Sequence, residues 1–539
     1  MPGQPRRPGF QFLWVLAAIV ICVGPVALLL LAALRGVIQH PDWLLLVWPS
    51  ERRARLLWNS LSLSGSVAVV GMLTGLPAGL AIWRLPTRIK RVLQWLVLIF
   101  VPLPPYIHAL VWLAAAQGIN TVLLPLGLPP ISLQGWGGTF WIQWMALLPL
   151  AVGITLLALQ TVDPATIEVG QLLAPGFSVL GRIVLPSSAP LLLSGTGFLF
   201  LLTLIDHSVP GLLGLNTYAL DIFAEFSATN QPARAFLLAV PGLVVSLLVL
   251  LGVQSGIRRI AQPGAQPGAG SGSQSGNWSR RSILHFPLPG WFLVLEQLAV
   301  ALVTLQIIVP LATLVGEVGS VDRFKQSLFA ARSEINYTLW LSLAAALLCL
   351  ILGWLTGSGL SQSRRQSAVV WWLVTLPLAV PAPLIGIALI MAINHPPWSL
   401  VYASAAMPVL AAVSRFLPFA TILMAAQINR TDPLLLDAAQ IACANPIRRL
   451  VKIQLPLLAP GFLAAAILIF SLTLSELGAT LLVIPPGRAT LTLRIYNYLH
   501  YGASAEVAGL GLMLVGVLVL AFLLLVLGYS LWLRLRRVE

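Results

Sequence analysis

A chain of 539 residues that is 58% hydrophobic and 9% charged, with mean hydropathy +0.93, carries more apolar side chain than a water-surrounded interior can hide. That excludes an ordinary soluble domain and makes lipid the solvent for much of the surface. The net charge of +15 does not point to nucleic acid, because the 31 basic residues, three of them lysines, form short clusters between apolar runs and no continuous basic face.

The apolar runs set the element order. Arg6 and Arg7 precede a run from about residue 11 to 34, which is too long for a signal-peptide core and has no small-residue cleavage site after it. We read it as the first permanent span. Five more follow at 57–83, 93–116, 138–161, 188–206 and 234–256. Six others lie at 290–315, 337–361, 368–393, 400–427, 460–484 and 506–533. Twelve spans put both termini on one side. With the termini cytoplasmic, inner segments hold 20 Arg and Lys and outer segments 10, which predicts that orientation. Arg52, Arg53 and Arg55 are the main departure, expected at the outer surface or interface before the second span. Prolines in the third and ninth spans (Pro102, Pro104, Pro105; Pro377, Pro381, Pro383) and Gly386 predict kinked or broken helices.

Between the sixth and seventh spans, Gln262 to Gly276 is rich in Gly, Pro, Ser and Gln and reads as a flexible linker. The expected division is a first transmembrane unit at 1–257, a cytoplasmic linker at 258–288 and a second unit at 289–539. The two units are repeats. Asp163-Pro164, Glu168 and Gln171 match Asp432-Pro433, Asp437 and Gln440 at a shift of 269. Arg182-Ile183-Val184-Leu185-Pro186 matches Lys452-Ile453-Gln454-Leu455-Pro456 at a shift of 270, so the first copy lacks one residue. Pro102-Leu103-Pro104 matches Pro381-Ala382-Pro383, and Leu202 to Asp206 matches Leu472 to Glu476. A duplicated six-span unit predicts a pseudo-two-fold bundle with a path along its midline.

Segments 163–186 and 432–456 are the least membrane-like stretches with helical character. Each opens on Asp-Pro, which suits a helix start, and has an acid early in the helix. The second copy, Asp437-Ala438-Ala439 followed by Ile453-x-Leu455-Pro456, resembles the Glu-Ala-Ala coupling motif of binding-protein-dependent ABC importer permeases. Asp437 stands for the family's Glu and Cys443 for its Gly. The first copy keeps Glu168, has Gly170 at the third position and Ala174 at the Gly position, and adds Pro175-Gly176. This predicts a distorted turn and a less regular contact in the first half. The chain is most similar to fused permeases of the ferric-iron and thiamine branch.

The resemblance implies an all-α integral membrane protein with two six-helix permease units, in a bacterial inner membrane. It implies a separate ATP-binding subunit, a homodimer, on the cytoplasmic side, and an extracytoplasmic substrate-binding protein. The coupling residues it implies are Glu168, Gly170, Ala174 and Pro186, with Asp437, Ala438, Ala439, Cys443 and Pro456. Small residues such as Ala438 and Ala439 would let the helix sit closely in a partner's groove.

No G-x-x-x-x-G-K-[ST] loop occurs, so the energy source is another chain or an ion gradient. Cys22, Cys349 and Cys443 have no metal-ligand spacing and read as small hydrophobes, the six histidines are scattered, and no nucleophile pattern supports a hydrolase. We expect no metal site, cofactor or enzymatic activity. Charged residues deep in spans are costly and usually functional. Asp206 and Glu476 are repeat equivalents, His207 follows the first, and Arg415 has no twin. They are candidates for the substrate path, with Arg415 free to snorkel, pair with an acid or line the path. Such acids would suit a cation, and ferric iron is the first substrate to expect, with thiamine, polyamines and oxyanions behind it. An ion-coupled secondary transporter is the competing reading, and a membrane scaffold the third.

Overall fold

The computed structural model describes residues 8–101, 103–261, 288–360, 366–443, 445–500 and 504–536. Most of the expected linker (262–287) and Pro102 lie outside them. All regular structure among the described residues is helical. A helix satisfies its backbone groups within one segment, which is what lipid demands.

The first half runs α1 (Pro8–Gln39), α2 (Glu51–Arg84), α3 (Thr87–Phe100), α4 (Pro105–Leu123) and α5 (Gly135–Leu159). It continues with α6 (Pro164–Leu173), α7 (Gly176–Leu204), α8 (Ser208–Leu212), α9 (Tyr218–Thr229) and α10 (Pro232–Ala261). The second half repeats the order: α11 (Gly290–Val318), α12 (Val321–Ala330), α13 (Arg332–Leu360), α14 (Gln366–Thr375), α15 (Ala382–Ile393) and α16 (Ala406–Arg430). Then come α17 (Pro433–Ala442), α18 (Leu450–Leu474), α19 (Thr480–Val483), α20 (Leu491–His500) and α21 (Ser504–Arg536). Among the described residues eleven helices are long and apolar enough to cross a bilayer. A twelfth span forms if Ala368–Ala379 and Ala382–Ile393, bent by 106°, count as one. The prolines break both expected spans: α3 stops at Phe100 and α4 restarts at Pro105, and the turn at Pro381 makes the 106° bend.

Each half has a core of three mutually packed spans, α2, α5 and α7 in the first and α13, α16 and α18 in the second. A pair of glycines four apart sets the crossing of the first two core spans in each half. A Cβ on Gly75 would stand 2.7 Å from Ala151 Cβ, and one on Gly353 2.7 Å from Ala420 Cβ. Gly79 meets Thr155 and Gly357 meets Ala425 in the same way, at 2.6 Å and 3.0 Å. In lipid, helix association depends on such close backbone approach.

The first helix of each half lies largely on the other half. Helix α1 packs against α13, α14, α15 and α16, and α11 packs against α2, α4 and α5. Ala18 and Cys22 are buried with Leu341, Ala345, Cys349 and Leu417, and Ser414 Oγ donates to the Ile21 carbonyl at 3.0 Å. Ala299 and Val303 are buried with Ala78, Ile82, Trp83 and Val152, and Arg84 pairs with Glu296 beside them. Direct contacts complete the junction: Gln254 Nε2 donates to Thr375 Oγ1 at 2.5 Å, and the Phe198 and Phe419 rings meet edge-on at 6.0 Å.

The basic cluster in the first turns of α2 is accounted for by local partners. Arg52 pairs with Asp221 of α9 at 3.0 Å, Arg53 Nη1 donates to the Leu46 carbonyl at 2.9 Å, and Arg55 pairs with Glu51 at 3.4 Å. The second half holds a pair of reversed polarity at the corresponding place, Glu334 of α13 with Arg494 of α20.

Candidate functional site

The two Asp-Pro segments fold alike. Asp163 caps α6 by accepting from Ala165 N–H at 3.0 Å, and Asp432 caps α17 by accepting from Leu434 N–H at 2.9 Å. Both helices are ten residues long with proline in the first turn. Glu168 and Asp437 are each the fifth residue of their helix.

The small residue at the third position of the motif is used inside the chain. Gly170 lies so close to the following segment that a Cβ there would stand 2.5 Å from Ile183 Cδ1. Its equivalent, Ala439, is 4% exposed. The expectation that Ala438 and Ala439 together face a partner is therefore corrected: Ala438 is exposed, and Ala439 is buried in the chain. This contact ties the motif to the Ile-x-Leu-Pro run that follows it, because Ile183 is the isoleucine of that run. The inner face of α6 is Ile167 and Gly170; its outer face carries Val169, Leu172 and Leu173, which are exposed.

The family's Gly position needs no glycine here. Ala174 has φ −151° and Cys443 φ −140°, extended values open to any residue, and each N–H closes the helix onto the residue four back. The missing residue of the first copy is absorbed in the connector just beyond Ala174. Both copies then pass through a π-helical turn, Leu180–Val184 and Leu450–Gln454. Pro186 and Pro456 sit two residues past those turns. Proline crowds the carbonyl four residues back and donates nothing, and the widened turn accommodates it. The distortion expected of the first copy alone is thus confined to its connector, and the helix and turn match the second copy.

The charged residues at the far ends of α7 and α18 form one cluster. Asp206 Oδ1 accepts from Ser208 N–H at 3.0 Å and Ser208 Oγ at 2.6 Å, and Oδ2 accepts from Gln143 Nε2 at 2.8 Å. Glu476 Oε1 accepts from Ala479 N–H at 2.9 Å and from Arg415 Nη1, and Oε2 accepts from Thr480 N–H at 2.9 Å and Thr480 Oγ1. Each acid therefore anchors the short helix after its span, α8 or α19, to a residue of α5 or α16. Arg415, without a sequence twin, has a structural counterpart in Gln143, which does the same work for Asp206. His207 is buried, stacks on Phe223 at 6.2 Å, and lies against Gly478, whose Cβ would be 3.2 Å from His207 Cε1. The same point lies 3.7 Å from Glu476 Oε1, which puts His207 beside the Arg415–Glu476 pair. The structure thus brings the four predicted path residues together and leaves the nine motif residues on two separate segments. Sequence reasoning missed Gln143, an amide among apolar neighbours, and the paired glycines, whose G-x-x-x-G spacing recurs at a shift of 278 and was readable.

Residues 349–536 match the family model for the binding-protein-dependent transport system inner membrane component. Over that stretch, about a third of the chain, the protein is similar to an importer permease component. The match begins within α13 and runs to the end of α21, covering the core spans, α17 and the Arg415–Glu476 pair. Similar proteins are transport permeases. The "Putative 2-aminoethylphosphonate transport system permease protein PhnV" of Salmonella typhimurium is 27% identical over 202 residues, 35% of this chain and 72% of its own length. The spermidine/putrescine permease protein PotC of Haemophilus influenzae is 27% identical over 195 residues, 35% of this chain and 72% of its own. The molybdenum permease protein ModB of Azotobacter vinelandii is 27% identical over 216 residues, 37% of this chain and 92% of its own. These relatives are named as membrane transport components, and this chain shares with such proteins a set of long apolar helices.

Proposed function

We propose that both repeats, residues 1–257 and 289–539, are permease units that together form the membrane path of an ATP-driven importer, joined by a cytoplasmic linker at 258–288. Both termini face the cytoplasm, as the Arg and Lys distribution indicates. Helices α6 and α17 then lie on the cytoplasmic face and dock a homodimeric ATP-binding subunit. An extracytoplasmic binding protein delivers the solute.

One observation carries this reading. Two equally long, Asp-capped helices stand outside the spans at equivalent places, each clamped to the span it precedes and each offering apolar side chains outward. Leu172, Leu173 and Ile441 are more than four-fifths exposed, although α6 and α17 are too short to span lipid. A partner groove accounts for them. The clamp of Gly170 on Ile183 supplies the lever, since motion of α6 must carry α7 with it. An ion-coupled secondary transporter gives these helices no role.

The expectation of ferric iron rested on acids facing the path. Glu476 and Asp206 spend nearly all their acceptor capacity on protein donors, which weakens that choice. The named solutes of the similar permeases span phosphonate, polyamine and molybdenum.

The docking reading is tested with Glu168→Arg combined with Asp437→Arg, two charge reversals outside the membrane spans. The double variant should remain monodisperse and keep its melting temperature. It should lose the ATPase subunit on purification and lose ATP-dependent uptake. If association and uptake both survive, the docking assignment is wrong.

A further inference from the structure

We infer that Arg415 makes this path one for an oxyanion, a phosphonate, phosphate or molybdate type of solute. This deepens, and rests on, the importer reading above.

The argument is an inventory of open donors and acceptors. An ion that sheds water inside a membrane must find direct ligands. A carboxylate has about four acceptor sites. Glu476 uses four, on Arg415, Ala479, Thr480 N–H and Thr480 Oγ1. Asp206 uses three, on Ser208 twice and Gln143. Gln143 Oε1 is enclosed and out of reach. The cluster therefore offers a cation almost no oxygen.

Arg415 is in the opposite condition. Guanidinium carries five N–H donors in a flat fork. Among the described residues only Nη1 makes a hydrogen bond, to Glu476; the guanidinium face lies over the Phe416 ring at 5.2 Å, and the side chain keeps 19% of its surface open. The unengaged edge is a planar, permanently charged donor pair suited to two oxygens of one tetrahedral anion. Arg415 lies nine residues into α16, about 13 Å along it, which is near the middle of a span. Glu476 offsets its charge only in part, because that carboxylate is shared with three other donors. A Cβ at Gly478 would stand 3.2 Å from His207 Cε1 of the other repeat and 3.7 Å from Glu476 Oε1, the oxygen that Arg415 holds, so the pair lies beside the junction of the two halves. A fixed cation at that depth is costly for packing alone and has no counterpart in the first repeat.

The test uses the full chain assembled with its ATPase and binding protein in proteoliposomes. ATP-dependent uptake is measured for molybdate, 2-aminoethylphosphonate and inorganic phosphate, and for putrescine and ferric ion. At least one oxyanion should be carried, and neither cation. Arg415→Gln should lower that uptake about tenfold or more, Arg415→Lys should restore part of it, and ATPase association should be unchanged. Because Arg415→Gln alone leaves Glu476 without its cation, Arg415→Gln with Glu476→Gln is the fold control and should show the same loss at wild-type melting temperature. Uptake of putrescine or ferric ion, uptake of none of the oxyanions, or wild-type uptake by the double variant each overturns the anion assignment while leaving the importer reading standing. A complex that fails to assemble with any ATPase overturns the importer reading itself, and this inference with it.

Discussion

At the scale of single residues, Glu476 is the most heavily committed side chain of the polar cluster. It is 5% exposed and holds Arg415 and two backbone N–H groups of the turn into α19. Removing one partner of a buried ion pair costs about 3–5 kcal/mol, because the other charge stays behind unpaired. Here the backbone N–H groups of Ala479 and Thr480 are orphaned as well. Glu476→Ala should therefore melt well below wild type in detergent, and Glu476→Gln should fall between them, since an amide oxygen still accepts. Equal melting of Glu476→Ala and wild type would show that the pair does not hold α19 in place. Asp206 offers the milder comparison, as its partner across the gap, Gln143, is neutral.

At the scale of elements, the α2–α5 and α13–α16 crossings are set by glycine, not by large side chains. Gly75 and Gly353 each face an alanine whose Cβ and carbonyl carbon lie within 2.9 Å of where a Cβ would go. Neither neighbour is a flexible side-chain tip, so the helices must separate. Overpacking of this sort costs about 1–3 kcal/mol. Gly353→Leu and Gly75→Leu should each lower thermal stability, with Gly65→Ala, which meets nothing within 4 Å, as the neutral control. A Gly353→Leu protein as stable as the control would mean that the α13–α16 crossing tolerates separation. The same economy of space recurs at Gly170, where glycine lets α6 lie on Ile183 and so links this short helix to a span.

At the scale of the whole molecule, the chain halves are not independent bodies. With α1 seated on α13 to α16 and α11 on α2, α4 and α5, each half covers core surface of the other. The linker is then not what holds them together. A protease site placed between residues 262 and 287, cut after purification, should leave two fragments that co-elute in mild detergent. Separation of the fragments on size exclusion would show that the exchanged helices do not carry the association.

The sequence by itself determined the all-helical membrane class, the order of the apolar spans and the two matching Asp-Pro helices. Those features depend on local chemistry: apolar length against bilayer thickness, proline and aspartate at helix starts, proline breaks at Pro105 and Pro381. Its span ends erred where helices run past the apolar window, as α1 does to Gln39 and α21 to Arg536. Tertiary structure alone decided three things. It put the first helix of each half on the opposite half, a choice no periodicity encodes, because the lipid-facing and protein-facing sides of α1 are equally apolar. It turned Ala439 and Gly170 inward onto the following turn, since a small residue reads the same whether it admits a partner or its own chain. It closed Arg415 onto Glu476 across 61 residues of sequence, leaving Glu476 saturated and one guanidinium edge open. Apolar length is a property of a segment, whereas which donors a buried charge has left is a property of everything packed around it.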